Sequence, residues 1–258
     1  MEGVKMDISV VIIVKNSIGT MKQCLTALES FDDIVVYDNG STDGTQEICR
    51  MFSNVNLIEG DFLGFGPTKK LASTYAKHNW IFSLDSDEIV NERFVKTLKE
   101  KELDLNTVYA IKRINYYKNI EIKHGWSNDI LPRIYNRKKT NISNQMVHEG
   151  VITDGLTVEN LNISLKHERY SSISEFIIKA DRYSTLFAQQ NVGKKSSSPL
   201  KAIANSSVTF IRKYFFKLGF LDGYPGLIMA YTNMIENFYK YMKLYEANKE
   251  IESKNKKG

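Results

Sequence analysis

The first 90 residues alternate four times between strand-like and helix-like stretches, and this rhythm restricts the fold more than any other feature of the chain. Residues 7–14, DISVVIIV, form a continuous β-branched run that is typical of a strand buried on both faces. Further strands are predicted at DDIVVY, VNLIEG and WIFSLDSD, with helical patterns between them. The alternation predicts an α/β fold, a Rossmann-like, mixed and mainly parallel sheet flanked by helices.

Three of these strands end in polar turns that carry Asp or Asn. The turns are VKN at 14–16, YDNGSTDG at 37–44 and LDSDE at 84–88. The carboxyl ends of parallel strands meet at one edge of a sheet, where ligands bind in folds of this type. The sequence therefore predicts a binding site at this edge.

The turn after the fourth strand contains three carboxylates, Asp85, Asp87 and Glu88, directly after an apolar run. Such carboxylates repel one another and are costly to remove from water. An Asp-x-Asp pair suits a hard cation such as Mg²⁺ or Mn²⁺, which binds through one or two carboxylates plus substrate phosphates. A solvated turn is the alternative interpretation.

The turn after the second strand contains Asp38 and Asp43. Their carboxylates suit hydrogen bonds to a base and a ribose. An Asx-turn that joins strand to helix is the alternative interpretation.

Composition excludes a disordered or fibrous protein. The 258 residues are 42% hydrophobic and 25% charged, which is typical of an ordinary globular protein, and the net charge of +5 suits an anionic partner. The two cysteines, Cys24 and Cys49, are expected to pack as small apolar residues inside helices. No secretory segment and no apolar run of roughly 18 residues is present, so we expect a cytoplasmic protein, with a peripheral position on the cytoplasmic face of the membrane as an alternative.

After residue 100 the pattern changes to longer strands at 108–122 and 129–143, and from Ser174 the chain is mostly helical. We therefore predict a sheet-containing binding domain at 1–170 and a helical region at 171–258, whose last residues, from Lys240, fray into a polar tail. The stretch 200–245 mixes aromatic and basic residues. Contact with a membrane surface, packing on the core and a homodimer face are the alternatives for it. The segment FLDGYPG predicts a break between two helices there.

Several motifs together resemble a known family. SVVIIVKN, VVYDNGSTDGT and WIFSLDSDE, at this spacing, resemble the nucleotide-sugar domain of the family-2 inverting glycosyltransferases, which have the GT-A fold. FLGFGPTKKLASTYA, IKHGWSNDILPRIYNRK, QMVHEG and FLDGYPGL are similar to a subgroup that includes lipopolysaccharide-core glucosyltransferases. The likeness covers roughly residues 7–230, and it departs from the subgroup at Lys70, where Asn is more common.

The resemblance implies a donor site for a UDP-sugar. Val14 and Asn16 on the first loop, together with Asp38, contact the uracil and the ribose. Lys69 approaches the diphosphate or the sugar. The predicted partners are thus a UDP-sugar and a glycan or glycolipid acceptor.

The resemblance also implies a site for Mg²⁺ or Mn²⁺ beside the donor. Asp87 takes the metal, and Asp85 contacts the metal or the hydroxyls of ribose and sugar. Glu88 orients the donor or the waters on the metal. His167, in LKHERY, completes the coordination, with a purely structural histidine as the alternative.

Inversion at the anomeric carbon needs a general base that deprotonates the acceptor hydroxyl. Glu149, in VHEG, is the favoured candidate and Asp129, in WSND, is the second. His148 is placed to hold the orientation of Glu149. A surface glutamate at a strand end is the alternative interpretation of Glu149.

Two further residues are candidates for binding the acceptor or the sugar. Trp126 offers an aromatic face to the C–H face of a pyranose, and a core tryptophan is the alternative. Arg133 pairs either with the diphosphate or with the carboxylate cluster, and a structural salt bridge is the alternative.

The predicted function is transfer of a hexose, glucose in the subgroup, from a UDP-sugar to a bacterial surface glycan or glycolipid such as lipopolysaccharide core. One alternative is a metal-dependent nucleotidyltransferase, although VKNSIGTMK is a poor version of the Gly-rich basic loop that such enzymes carry. Another is a non-catalytic protein that binds nucleotide sugars or acts as a scaffold. Nucleic-acid binding is rejected, because only the net charge favours it.

Overall fold

The computed structural model describes residues 6–124, 129–145, 149–170 and 172–255. Its strands are β1 Ile8–Val14, β2 Ile34–Asp38, β3 Val55–Glu59, β4 Trp80–Asp85, β5 Glu88–Ile89, β6 Thr107–Tyr117, β7 Ile120–Glu121, β8 Asp129–Asn136 and β9 Thr157–Tyr170. Its helices are α1 Ile18–Thr26, α2 Thr45–Arg50, α3 Phe65–Thr74, α4 Glu92–Glu100, α5 Ile173–Asn191, α6 Pro199–Ile211 and α7 Gly223–Asn255.

The strands form one mixed sheet in the order β3-β2-β1-β4-β8-β6-β9-β5, with β7 beside β6. The strands β3, β2, β1 and β4 are parallel, and β8 joins β4 in the antiparallel sense. The β-branched run of β1 lies at the centre of the parallel part, and all of its residues except Ile13 are buried. The predicted fold class, a mixed sheet flanked by helices with a C-terminal helical region, is confirmed.

The register of the parallel strands determines where the site is built. Val14 at the end of β1 pairs with Asp38 at the end of β2, and Ile13 pairs with Asp85 at the end of β4. Three strands therefore end at nearly the same level, and the turns that follow them share one edge of the sheet.

The two cysteines behave as predicted. Cys24 lies in α1 and Cys49 in α2, and both are buried in the main hydrophobic cluster with strands β1 and β2. Burial raises the pKa of Cys49 to about 11, so its thiol stays protonated near neutral pH. Both side chains serve as small apolar residues of the core.

The described residues divide into two compact units. The first contains the described residues up to Ile114 and those between 128 and 168; the second contains those of 115–127 and 169–258. The two domains predicted at 1–170 and 171–258 stay a prediction, because a compact unit is not by itself an independently folding domain.

The second unit is built on α7, against which α5 and α6 pack. The predicted break is confirmed, because a π-helical turn at Arg212–Phe216 and a 3₁₀ turn at Gly219–Asp222 separate α6 from α7. The predicted polar tail is wrong, since α7 continues as a helix to Asn255. Among the described residues, none of the helices combines the length and apolar composition needed to cross a membrane.

Candidate active site

The three polar turns contact one another at the carboxyl edge of the parallel strands. Asn16 donates its backbone N–H to Ser41 Oγ at 2.8 Å and accepts from the backbone N–H of Thr42 at 2.8 Å. The hydroxyls of Ser17 and Ser86 lie 2.9 Å apart, which joins the first turn to the third. The predicted clustering of the turns is therefore confirmed.

The second turn contains the Asx-turn of the alternative interpretation at Asp43, whose Oδ1 accepts from the backbone N–H of Thr45, two residues on, at 3.1 Å. Asp38 is fully buried and its Oδ1 accepts from the backbone N–H of Ser41 at 2.7 Å. Its Oδ2 is also buried and has no hydrogen-bond partner among the described residues. An unsatisfied buried carboxylate oxygen is costly, so this atom still requires a donor.

Asp43 has a structural task in the same turn. One carboxylate oxygen accepts from the backbone and hydroxyl of Thr45 at 3.1 and 2.6 Å, and the other accepts from the N–H of Ile18 at 3.0 Å. Asp43 therefore caps the start of α1, where Ser17 precedes the helix without a side-chain cap bond. The role of Asp43 in binding base and ribose stays a prediction.

A buried lysine joins two carboxylates that are distant in the sequence. Lys69 Nζ in α3 lies 2.8 Å from Asp85 Oδ1 and 2.8 Å from Glu149 Oε1, and only 5% of its side chain is exposed. Burial by itself lowers the pKa of Lys69, but Asp85 and Glu149 raise this pKa above its ordinary value. Lys69 is therefore a cation that holds the candidate base beside the candidate donor site.

Arg133 in β8 closes the other side of the carboxylate cluster. Its Nη2 lies 2.5 Å from Glu88 Oε1 and 3.0 Å from Asp85 Oδ2. Glu88 is completely buried, and its Oε2 accepts from the backbone N–H of Asp85 at 3.0 Å. Arg133 thus pairs with the carboxylate cluster, and its predicted roles toward the diphosphate or the sugar stay predictions. Burial raises the pKa of Asp85 by itself, yet Lys69 and Arg133 hold that pKa well below its ordinary value.

Sequence reasoning missed Arg113 in β6. Its Nη2 lies 2.8 Å from Asp129 Oδ2 and its Nη1 lies 3.7 Å from Glu88 Oε1. Arg113 and Asp129 are directly opposite each other in the β6–β8 register. A cross-strand pair of opposite charges is a usual arrangement in a sheet, but the pairing partner of β6 is not readable from a single sequence.

Asp87 and His167 are brought together by the pairing of β5 with β9. Glu88 is opposite His167 in this register, and His167 Nε2 lies 3.3 Å from Asp87 Oδ2. A carboxylate and an imidazole fit Mn²⁺ as two protein ligands, with substrate phosphates and waters filling the other positions. Among the described residues, no group of three or more His, Cys, Asp or Glu side chains is arranged to hold a metal. Metal binding therefore stays a prediction.

The cluster as a whole is short of positive charge. Five carboxylates (Asp85, Asp87, Glu88, Asp129 and Glu149) face three permanently cationic side chains (Lys69, Arg113 and Arg133). On this formal count, which leaves out His167, the excess is two negative charges, and one divalent cation would balance it. This favours the predicted metal on electrostatic grounds.

The remaining predicted residues are less informative. Val14 contributes its carbonyl oxygen, which accepts from the N–H of Asn39 at 2.9 Å, while its side chain is buried in the core. Trp126 and His148 lie outside the described residues.

The position of Glu149 depends on a glycine in α3. The N–H of Gly66 donates to the carbonyl of Gln145 at 3.0 Å, and the N–H of Ser143 donates to the carbonyl of Gly150 at 2.9 Å. A Cβ on Gly66 would overlap the backbone oxygens of Ser143 and Gln145. The absence of a side chain at position 66 thus lets residues 143–145 lie directly on α3.

We expect Gly66→Ala to destabilise the protein by about 1–3 kcal/mol, because the clash is with backbone atoms that must shift. Urea unfolding followed by circular dichroism measures this. Gly19→Ala is the matched control, because Gly19 is also in a helix and a Cβ there meets nothing within 4 Å. The control is expected to be neutral or stabilising by up to about 1 kcal/mol. Equal stability of the two variants would contradict the packing argument.

We expect Lys69→Met to make the protein less stable near neutral pH and to bring acid unfolding to a higher pH. A carboxyl whose pKa is lowered by folding stabilises the protein above its unfolded pKa, and this contribution is lost as the pH falls through the folded pKa. In the variant the pKa of Asp85 in the folded state rises. The difference in free energy of unfolding between wild type and variant therefore shrinks below about pH 4. Lys70→Met is the control, because Lys70 is the exposed neighbour. A deficit that does not change with pH would contradict this electrostatic origin.

Comparison of the sequence with known proteins places this chain in a family. The sequence model of the family Glycosyl transferase family 2 matches residues 9–153 of this chain. The chain is 27% identical to the lipopolysaccharide core biosynthesis glycosyltransferase LpsC of Rhizobium meliloti (strain 1021), covering 94% of this chain and 93% of the relative. It is 25% identical to an uncharacterized glycosyltransferase of Rickettsia bellii (strain RML369-C), covering 93% and 86%.

Among solved structures, residues 1–349 of S. aureus TarS in complex with UDP-GlcNAc are similar, with 16% identity, a TM-score of 0.43 and coverage of 97% of this chain and 92% of that one. The family match rests on the sequence model, which spans more than half of the chain and includes β2, β4, Lys69 and Glu149. The protein therefore belongs to glycosyl transferase family 2 and is a glycosyltransferase.

Proposed function

We propose that this glycosyltransferase transfers a hexose from a UDP-sugar, with inversion, to a glycan or glycolipid of the bacterial envelope. The observation that carries the proposal is the pair of contacts made by Lys69, 2.8 Å from Asp85 and 2.8 Å from Glu149. They hold a candidate donor-binding carboxylate and a candidate general base on either side of one cation. A transferase needs these two functions side by side, because the acceptor must attack the donor sugar directly.

The carboxyl edge offers complementary groups for a nucleoside diphosphate. The buried Oδ2 of Asp38 lacks a partner among the described residues and would accept a hydrogen bond from the base or ribose. Lys69 and Arg133 are cations that suit the diphosphate. A divalent cation held by Asp87 and His167 would neutralise charge that develops on the leaving diphosphate.

Glu149 is the proposed base. Its side chain is 14% exposed, so it is largely shielded yet still reachable by an acceptor hydroxyl. The contact with Lys69 Nζ at 2.8 Å orients the carboxylate that would accept the acceptor's proton. Asp129 is the second candidate; it is more exposed and is paired with Arg113.

The acceptor class is proposed from the relative with a named pathway. LpsC is named as a lipopolysaccharide core biosynthesis glycosyltransferase, and the match covers 94% of this chain and 93% of LpsC. We therefore propose a lipopolysaccharide-core or related glycan acceptor, and glucose as the first donor sugar to be tested.

The test is a donor screen. The purified protein is incubated with Mn²⁺ and with UDP-, GDP- and ADP-sugars, and the release of nucleotide is measured together with metal-dependent nucleotide binding by calorimetry. We expect release from one UDP-sugar, and loss of both readouts in Asp87→Ala. Asp61→Ala is the control, because Asp61 is exposed and lies outside the cluster.

Three other results would favour a different function or contradict the proposed donor site. Binding of UDP without turnover on any donor or acceptor would favour a non-catalytic nucleotide-sugar-binding protein. Release of pyrophosphate from a nucleoside triphosphate would favour a nucleotidyltransferase. A folded protein that binds no nucleotide would contradict the proposed donor site.

A further inference from the structure

A surface of the second unit combines apolar and cationic side chains along α6 and in the turns that follow it. Its apolar members are Leu200, Ile203, Ile211, Phe215, Phe216 and Phe220, all of which are exposed. Leu200 is 79% exposed and Phe216 is 80% exposed, which is extreme for residues of this kind. We call this set, together with the cations Lys201, Arg212, Lys213 and Lys217, the basic aromatic surface.

Three of the apolar side chains lie on one face of α6. Leu200, Ile203 and Ile211 share a face of α6, because their spacing of three and eight residues returns to the same side of a helix. The opposite side of α6, with Ala202 and Ser206, is buried.

Ring contacts continue the patch beyond α6. Phe210 stacks on Tyr214 and contacts Phe215 edge to face, and Tyr214 contacts Phe220 edge to face. The turn that presents these rings is closely packed, since a Cβ on Gly219 would lie 2.8 Å from the carbonyl oxygen of Lys213. The exposed rings are therefore held by the fold and are not the ends of a loose tail.

The segment that carries the patch contains charges of a single sign. From Arg182 to Leu221 the sequence contains no Asp or Glu, and it contains seven cations: Arg182, Lys194, Lys195, Lys201, Arg212, Lys213 and Lys217. Burial, with Arg212 and Lys217 nearby, lowers the pKa of Lys213. Arg212 and Lys213 are adjacent, and the N–H of Lys217 donates to the carbonyl of Arg212 at 2.8 Å, so these cations lie close together and an anionic surface would relieve their repulsion.

We infer that the basic aromatic surface docks on an anionic lipid bilayer. Lipid headgroups supply the negative charge, and the apolar interface accommodates Phe215, Phe216 and the exposed face of α6. A second copy fits poorly, because a two-fold interface places each patch against itself and would bring like charges together. Nucleic acid would match the charge but offers no apolar layer for Leu200, Ile203 and Ile211. The inference goes beyond the proposed function and requires neither donor nor turnover.

The whole 258-residue chain is tested by sedimentation with sucrose-loaded vesicles of phosphatidylcholine alone, or of equal parts phosphatidylcholine and phosphatidylglycerol, over a series of salt concentrations. We expect binding to the anionic vesicles that weakens as salt rises. Phe216→Ser should weaken binding about tenfold. The double variant Arg212→Gln/Lys217→Gln should weaken it about twenty-five-fold, which corresponds to about 1 kcal/mol for each cation near an anionic surface.

Two matched controls lie in the first unit. Met51→Ser changes a 72% exposed apolar residue, and Lys96→Gln removes a cation whose side chain is 77% exposed. Both are expected to bind vesicles as wild type does. Circular dichroism and nucleotide affinity, unchanged in all four variants, would show that folding and the donor site are intact.

Several results would overturn the inference. One is equal binding to neutral and anionic vesicles, and another is wild-type binding by the Phe216 and Arg212/Lys217 variants. A dimer in lipid-free solution that Phe216→Ser dissociates would assign the surface to self-association. Binding of a single-stranded oligonucleotide through Arg212 and Lys217, without vesicle binding, would assign it to nucleic acid.

Discussion

The Glu149→Gln variant is expected to transfer sugar about 10²–10⁴-fold more slowly than wild type while binding nucleotide with similar affinity. Glutamine is nearly isosteric with glutamate but does not accept a proton at neutral pH. The contact with Lys69 is weakened but Asp85 still holds that lysine at 2.8 Å. The measurement is kcat for transfer to an acceptor, compared with the dissociation constant for UDP.

Two comparisons make this result interpretable. Glu159→Gln is the matched control, because Glu159 also pairs with a lysine, Lys101, at 2.7 Å but lies outside the cluster. Asp129→Asn tests the second candidate for the base. Full transfer by Glu149→Gln together with loss of transfer in Asp129→Asn would move the assignment to Asp129. Loss of UDP binding in Glu149→Gln would show a role in donor binding and contradict the role as a base.

The Arg133→Met variant is expected to lose about 3–5 kcal/mol of stability, because it leaves Glu88 completely buried without its nearest cation. Arg113 lies 3.7 Å from the same carboxylate and compensates only in part. Burial already raises the pKa of Glu88 above its ordinary value, even with Arg133 present. Urea unfolding gives the free energy of unfolding of each variant.

The control for Arg133 is an exposed ion pair of the same type. Arg50 lies 3.2 Å from Glu59 and more than half of each side chain is exposed, so Arg50→Met should cost less than about 1 kcal/mol. Adding Glu88→Gln to Arg133→Met should recover part of the lost stability, because the uncompensated charge is removed. A double variant as unstable as Arg133→Met alone would show that lost packing, and not the charge, causes the effect.

The parallel half of the sheet could be predicted because its information is local. The β-branched run of β1 and the turn residues after β1, β2 and β4 specify buried strands that end at one edge. Asp38, Asp85 and Asp87 were placed at that edge from their positions alone. The start of α1 was less predictable: Ser17 precedes the helix, but Asp43, from the following turn, accepts the hydrogen bond from Ile18.

The partners of the carboxylates could not be predicted, because they come from strands and helices that are distant in sequence. Lys69 was expected at the donor, but its joint contact with Asp85 and Glu149 depends on how α3 packs against the segment after β8. Arg113 could not be identified as a site residue, because a basic residue in a strand is equally compatible with a solvent-exposed position. The expected polar tail was wrong because the Lys- and Glu-rich sequence after Lys240 is compatible with a solvated helix as well as with a coil.

The buried Glu88 also affects how accurately the sheet assembles. Arg133 reaches it from β8 and Arg113 from β6, while its own strand, β5, pairs with β9. A slip of β8 by one residue would turn Arg133 to the opposite face of the sheet and leave Glu88 without its closest partner. Misaligned pairings of the antiparallel half would therefore have a higher free energy than the native pairing. A single buried glutamate thus helps to select the correct alignment of strands that lie far apart in the chain.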